Sequence, residues 1–244
     1  MIVKTEAIVL QTRKFSDSSK IVILYTKEYG KISILAKGAY SIKNKFGGTL
    51  EPLSYINIIF YKKTNTDLHL LKEAEIIIPF HNISLNYENL ITSLICCEFL
   101  QNTQPDNLKN INIFDIIIKY LNISNKNIYN NFTITTIFLF NLAKFNGFYI
   151  DFSFIKELSN FKNRTLNISI EDIKPVYNYS INTFKLNIEL LLKLTNYNTI
   201  SFENIPQNIN INIIEFKTVI DFFCKYFEFH LDKKFNIKYS KMLS

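Results

Sequence analysis

Apolar and polar side chains alternate along much of the first eighty residues. In the segment 31–37, Ile32, Ile34 and Ala36 lie on one side, which is the pattern of a half-buried β-strand. Gly30 precedes this segment and can adopt a positive φ, so a hairpin turn is predicted there. The alternation predicts five strands in all, over residues 3–12, 20–25, 31–37, 53–61 and 68–76.

The pattern changes beyond Pro79, where apolar residues recur at the spacing of amphipathic helices. Four stripes follow it: Leu90, Leu94 and Cys97; Ile134, Phe138, Leu142 and Phe145; Phe184, Ile188, Leu191 and Leu192; Phe216, Ile220, Phe223 and Phe227. Five short strands are too few for a sandwich but enough for a small closed barrel. We therefore expect an α+β protein of two domains, with a five-stranded OB-type β-barrel in residues 1–80 and an all-α helical domain in residues 81–244.

Charge is unevenly distributed along the chain of 244 residues. The net charge is +7, and residues 1–80, with 12 Lys and Arg against 7 Asp and Glu, carry +5 of it. A basic excess favours a polyanionic partner, because each cation near a phosphate releases condensed counterions. There is no apolar run long enough for a membrane helix, and three cysteines cannot form a disulfide framework. We expect a cytoplasmic protein with no membrane segment.

The sequence lacks the residue groups that common catalytic sites require. A phosphate-binding loop is absent. Residues 45–48 (KFGG) lack the glycine spacing of such a loop, and no Lys follows their last glycine. His69, His81 and His230 have no Cys or His partner at metal-ligand spacing, and the carboxylates are scattered. These absences argue against an ATPase and a metalloenzyme, so a protein that is not an enzyme is predicted.

Positive charge gathers on the predicted connections of the barrel. The connections between strands one and two and between strands four and five border the nucleic-acid groove in OB folds, and both carry cations. Tyr25, Tyr55 and Tyr61 offer further aromatic faces for stacking. Taken singly, each of these residues also fits an ordinary solvated surface or a half-buried strand. The predicted DNA-binding residues are Arg13, Lys14, Lys20, Lys37, Tyr40, Lys43, Lys45, Lys62 and Lys63.

Six segments of the first eighty residues stand out as an ordered set. They are TEAIVL at 5–10, DSSKIV at 17–22, TKEYGK at 26–31, LAKGA at 35–39, FGGTLEPL at 46–53 and LHLLKEAE at 68–75. In order and spacing they resemble the amino-terminal domain of the RecO family of DNA repair proteins. The similarity is patchy through the helices and returns in FNGF at 145–148, HL at 230–231 and YSK at 239–241. The resemblance implies an OB barrel followed by a helical domain.

The resemblance also implies a function. RecO-like proteins bind single- and double-stranded DNA and anneal complementary strands. Together with RecR they help to load the recombinase RecA onto strands coated by single-strand-binding protein. The resemblance therefore implies a mediator of DNA repair and recombination that is associated with the nucleoid.

Two departures from the family pattern affect the expected sites. Many relatives carry two close pairs of cysteines shortly after the position of Gly147 and bind zinc there, whereas residues 151–182 contain no cysteine. We therefore predict no zinc module and no cofactor. Relatives often carry Arg or Lys directly after the LAKGA segment, where this chain has Tyr40 and Ser41. Positive charge near that position then comes from Lys37, Lys43 and Lys45, or aromatic stacking by Tyr40 takes its place.

Two other functions compete with this interpretation. The first is a protein–protein adaptor that binds the acidic tail of single-strand-binding protein and makes little direct contact with DNA. An apolar pocket rimmed by Lys or Arg in the helical part would favour it. The second is a metal-dependent nuclease, which the scattered carboxylates disfavour.

Overall fold

The five predicted strands form a closed barrel in the computed structural model. The structure describes the whole chain except residues 42–45, 64–65, 156–164, 178–179, 198, 208 and 244. The strands are β1 (Ile2–Lys14), β2 (Lys20–Thr26), β3 (Gly30–Ala36), β4 (Tyr55–Tyr61) and β5 (Leu68–Ile78). Around the barrel they follow the order β1-β2-β3-β5-β4. β3 and β5 are parallel, and the other neighbours are antiparallel.

The barrel interior is filled by the side chains that the alternating pattern assigns to one face of each strand. These residues form a core of their own that includes Val22, Leu24, Ile32, Ile34, Ile58 and Phe60. Phe46 and Leu50, from the connection between β3 and β4, add to this core. Burial of such aliphatic and aromatic side chains, each contributing about 1.5–3 kcal/mol, stabilises the closed sheet.

The predicted hairpin turn at Gly30 joins β2 and β3. Thr26 pairs with Gly30, and the Thr26 hydroxyl donates to the Gly30 carbonyl and accepts from the Tyr29 N–H. Gly30 has φ +64°, and a Cβ at this position would overlap the carbonyl group of Leu108. Glycine is therefore required here for two reasons, the turn conformation and the close approach of the segment that carries Leu108.

Four of the helices that follow begin directly after a capping asparagine. The helices are α1 (His81–Leu85), α2 (Tyr87–Thr103), α3 (Ile111–Lys126), α4 (Asn131–Phe145), α5 (Ile188–Tyr197) and α6 (Ile213–Leu231), and a 3₁₀ helix spans Tyr239–Met242. Asn86, Asn110, Asn130 and Asn212 precede α2, α3, α4 and α6, and each side chain accepts a backbone N–H of the first turn. These four asparagines thus serve as N-caps.

The helices pack against the outer surface of the barrel. Ile8 and Leu10 of β1, Tyr25 of β2, and Leu53 and Tyr55 near β4 belong to the same buried cluster as the helix residues. The Tyr25 hydroxyl donates to the Asn110 carbonyl at 3.3 Å. The outer surface of the barrel and the helices therefore share a second core, separate from the one inside the barrel, and the proposal that residues 1–80 form a domain of their own stays a prediction.

The carboxy-terminal part is not all-α, and that prediction was wrong. A three-stranded sheet of order β7-β6-β8 is formed by β6 (Thr165–Ser169), β7 (Pro175–Val176) and β8 (Thr183–Asn187). Phe184 was placed on a helical stripe, but it lies in β8, and α5 begins only at Ile188. Both β8 and the start of α5 carry spaced apolar residues. In so short a segment the strand period of two and the helix period of 3.6 cannot be told apart, so tertiary packing decides whether a strand or a helix forms.

Candidate nucleic-acid interface

One group of predicted site residues lies where β1 ends and β3 ends. Arg13 and Lys14 are the last two residues in the register of β1 with β2, and both are exposed. Lys37 follows the last residue of β3 and is also exposed. The Lys14 ammonium lies 3.2 Å from Asp17, but the pair is solvent-exposed and contributes little. Three cations thus point into solvent at this end of the barrel.

Backbone hydrogen bonds join the two connections at this end. The Phe15 N–H donates to the Ser19 carbonyl at 2.9 Å, which closes the β1–β2 connection into a tight loop. The Tyr40 N–H donates to the Ser18 carbonyl at 3.1 Å, which ties the segment after β3 to the same loop. The structure therefore brings together residues that the sequence places on separate connections.

Lys20 lies at this end but is not exposed like its neighbours. It is 8% exposed, and its ammonium lies 2.6 Å from the Glu51 carboxylate. The same ammonium stands over the ring of Tyr40, 4.9 Å from the ring centroid. Lys20 is thus already paired with a carboxylate and an aromatic ring, whereas Tyr40 itself is 48% exposed.

Lys62 and Lys63 follow β4 and lie at the opposite end of the barrel, near the β2–β3 turn. Tyr61 of β4 pairs with Ile2, and the Lys62 N–H donates to the Met1 carbonyl at 2.8 Å. The Lys62 ammonium stands 4.5 Å from the ring centroid of Tyr29, in the β2–β3 turn. With a rise of about 3.3 Å per residue along β2, the two groups of cations are roughly 20 Å apart. The predicted residues therefore form two basic clusters rather than one.

The helical part covers the surface of β2 and β3 next to the turn. Lys31 of β3 donates to the Gln101 carbonyl at 2.8 Å and lies 3.3 Å from Asp106, and the Asn107 N–H donates to the Lys31 carbonyl. Burial lowers the pKa of Lys31, and Asp106 partly offsets this effect. This stretch of the barrel surface is an internal contact.

The prediction that Tyr25 and Tyr55 offer faces for stacking was wrong. Tyr25 is fully buried under the helices, and burial raises the pKa of its hydroxyl. Tyr55 is also buried, and its hydroxyl donates to Glu6 at 2.6 Å, which lowers the pKa of that carboxyl. The alternation marks two faces of a strand but does not reveal that a second part of the chain covers the outer one.

Two further predicted residues, Lys43 and Lys45, lie outside the described residues. Among the described ones, sequence reasoning missed Phe15, which is 57% exposed at the start of the β1–β2 connection. The available signal was a phenylalanine within the polar stretch 13–20 (RKFSDSSK), where packing in a core is not expected.

Metal-binding groups do not converge in the described part of the chain, where no three His, Cys, Asp or Glu residues come close enough to hold an ion. In the segment after Gly147, where the sequence predicts no zinc module, Ile168 and Leu186 of the small sheet are buried, and Phe184 packs edge-to-face on Phe222 of α6. Apolar side chains of this kind do not fit a zinc site.

None of the described helices combines the length and apolarity needed to cross a membrane.

Comparisons with known proteins show which family the barrel is similar to. Residues 1–80 match the family model described as Recombination protein O N terminal. DNA repair protein RecO of Salinibacter ruber is 40% identical over 82 residues, which cover 34% of this chain and 32% of that protein. The RecO proteins of Chlorobaculum parvum and Chloroherpeton thalassium are 46% and 32% identical over 77 and 130 residues. These matches span 30% and 50% of the two relatives. The resemblance seen in the sequence is confirmed for this part of the chain.

Proposed function

We propose that this chain, which carries the amino-terminal region of the RecO family, acts in DNA repair and homologous recombination as a DNA-binding mediator. The observation that carries the proposal is the exposed basic cluster formed by Arg13, Lys14 and Lys37 at one end of the barrel. The strand order β1-β2-β3-β5-β4 supports an OB-type barrel, a fold whose strand connections bind oligonucleotides.

The proposed mechanism needs no bond cleavage by the protein. Exposed Lys and Arg side chains hold the phosphate backbone through contacts that are sequence-independent and weaken with salt. A strand held by its backbone keeps its bases free to pair, so a second strand can anneal to it. Working with RecR, the protein would expose strands coated by single-strand-binding protein to RecA. Neither a cofactor nor a zinc ion takes part in these steps.

The test of this proposal is DNA binding and annealing by the full chain. The double variants Arg13→Glu/Lys37→Glu and Lys62→Glu/Lys63→Glu remove cations from the two ends of the barrel. Lys144→Glu/Lys185→Glu is the matched control, since it makes the same change in net charge at exposed positions outside the barrel. We expect both barrel variants to bind single-stranded DNA more weakly than the control. Equal binding by all three would contradict the proposal.

One observation favours the adaptor as a second candidate. A cavity of about 300 Å³ between α6 and the 3₁₀ helix is lined by Ile220 and Leu243, with Lys217 and Lys241 beside them. Apolar walls with basic residues beside them suit an acidic peptide that also carries apolar side chains. Asp221 also lines this cavity, and burial raises its pKa. Titration of the full chain with the acidic tail peptide, before and after Lys217→Glu/Lys241→Glu, separates this function from DNA binding.

A further inference from the structure

Two large aromatic side chains stand exposed beside the cations at the β1–β2 end of the barrel. Phe15 is 57% exposed and Tyr40 is 48% exposed. The loops that carry them are joined by the hydrogen bond from the Tyr40 N–H to the Ser18 carbonyl. Because the short β1–β2 loop is closed by its own backbone hydrogen bond, Phe15 is held at the rim and not in the barrel core.

The ring of Tyr40 lies against a buried cation. Lys20 is held by Glu51 at 2.6 Å, and its ammonium stands over the Tyr40 ring at 4.9 Å from the centroid. A cation at this distance is attracted to the ring face, and the attraction grows where water is excluded. Such a contact favours one orientation of an exposed ring.

We propose that Phe15 and Tyr40 form a base-stacking platform for single-stranded DNA, with Lys20 as the residue that positions Tyr40. The occupant follows from the nearby charge, since Arg13, Lys14 and Lys37 are exposed at the same end of the barrel as the two rings. Phosphates would lie on these cations and bases on the rings, which is the combination that holds single strands without sequence preference. This inference rests on the proposed DNA-binding function.

The platform would give the protein a preference for strands that are not yet paired. Stacking uses the flat face of a base and leaves its pairing edge free, so a complementary strand can still anneal. Once a duplex forms, each base face is covered by its neighbours, and the rings lose their contacts while the phosphate contacts remain. The preference for single strands over duplex would therefore come from Phe15 and Tyr40, and the salt dependence from the cations.

A fluorescent reporter tests the stacking directly. The chain has no tryptophan, so Phe15→Trp introduces a single one at the platform. We expect oligothymidine to quench its emission, and duplex or an abasic strand of equal length to quench it far less. Binding without any quenching, or equal quenching by all three probes, would overturn the platform.

Affinity measurements separate a failure of the platform from a failure of the proposed function. Phe15→Ala and Tyr40→Ala should each weaken single-strand binding about fivefold or more and leave duplex binding and the salt slope unchanged. Tyr177→Ala removes an exposed tyrosine next to β7, outside the barrel, and serves as the control. If the unmodified protein binds no DNA, the proposed function fails. If it binds DNA and the two variants match the control, only the platform is refuted.

The positioning role of Lys20 needs its own readout. Lys20→Met should weaken single-strand binding as Tyr40→Ala does, and combining both changes should add little further loss. Because Lys20 would not contact a phosphate, its removal should leave the salt slope unchanged. Lys37→Gln should instead reduce the slope by about 0.7. A reduced slope in Lys20→Met would show that Lys20 contacts phosphate directly and would overturn its positioning role.

Discussion

The contact between Gly30 and Leu108 fixes the helical part against the β2–β3 turn, and Gly30→Ala should break it. Gly30 has φ +64°, and an added Cβ would stand 2.5 Å from the carbonyl carbon of Leu108. The segment that carries Leu108 must then move away from the turn, because real Cβ atoms essentially never come within 3.0 Å of a non-bonded heavy atom. That movement would weaken the Asn107 N–H bond to the Lys31 carbonyl and the pairing of Lys31 with Asp106.

The magnitude follows from these losses. The left-handed conformation costs an alanine about 1–2 kcal/mol, and the weakened hydrogen bond adds about 0.5–1.5 kcal/mol. We therefore expect Gly30→Ala to lower the free energy of unfolding by about 1.5–3.5 kcal/mol in urea titrations followed by circular dichroism. Gly147→Ala is the control, since its φ is +87° and nothing lies within 4 Å of the added Cβ. Equal losses in the two variants would refute the described contact.

Three further predictions concern stability and reactivity. Burial raises the pKa of Cys97 and of Cys224 to about 12, so neither thiol should react with a disulfide reagent near neutral pH until the protein is unfolded. Burial lowers the pKa of His69 and of His230, so both take up protons on unfolding. The free energy of unfolding should therefore fall as pH drops below about 6.5, by at most about 1.4 kcal/mol per pH unit for each histidine. His69→Gln should flatten that dependence. Asn212→Ala removes the side-chain cap of α6 and should lower the unfolding free energy by about 1 kcal/mol.

The barrel could be predicted well because its information is local. Each strand alternates apolar and polar residues, and Gly30 marks the turn, so the five strands appear in the structure close to their predicted bounds. Even there, the alternation in β2 does not show whether the outer face of the strand is exposed or covered. Nothing in the alternation shows that Asn110 and its neighbours cover Tyr25, since that burial depends on contacts between distant parts of the chain.

The candidate site was predicted in outline only, because charge counts do not reveal pairing. Lys20 and Lys37 look alike in the sequence, yet the first is paired with Glu51 and the second is exposed. Phe15 was missed because a lone aromatic in a polar loop has no periodicity to mark it. The small sheet of β6, β7 and β8 was missed because its strands are only two to five residues long, too short for a period of two to stand out.

The dependence of single-strand affinity on salt tests the central claim most directly. If Arg13, Lys14, Lys37 and Lys63 all contact phosphates, the logarithm of the binding constant should fall with the logarithm of salt concentration with a slope of about −3. Arg13→Gln/Lys37→Gln should bring that slope about 1.4 closer to zero, whereas Lys144→Gln/Lys185→Gln should leave it unchanged. A slope near zero in the unmodified protein, or an equal change in both variants, would contradict DNA binding by the barrel.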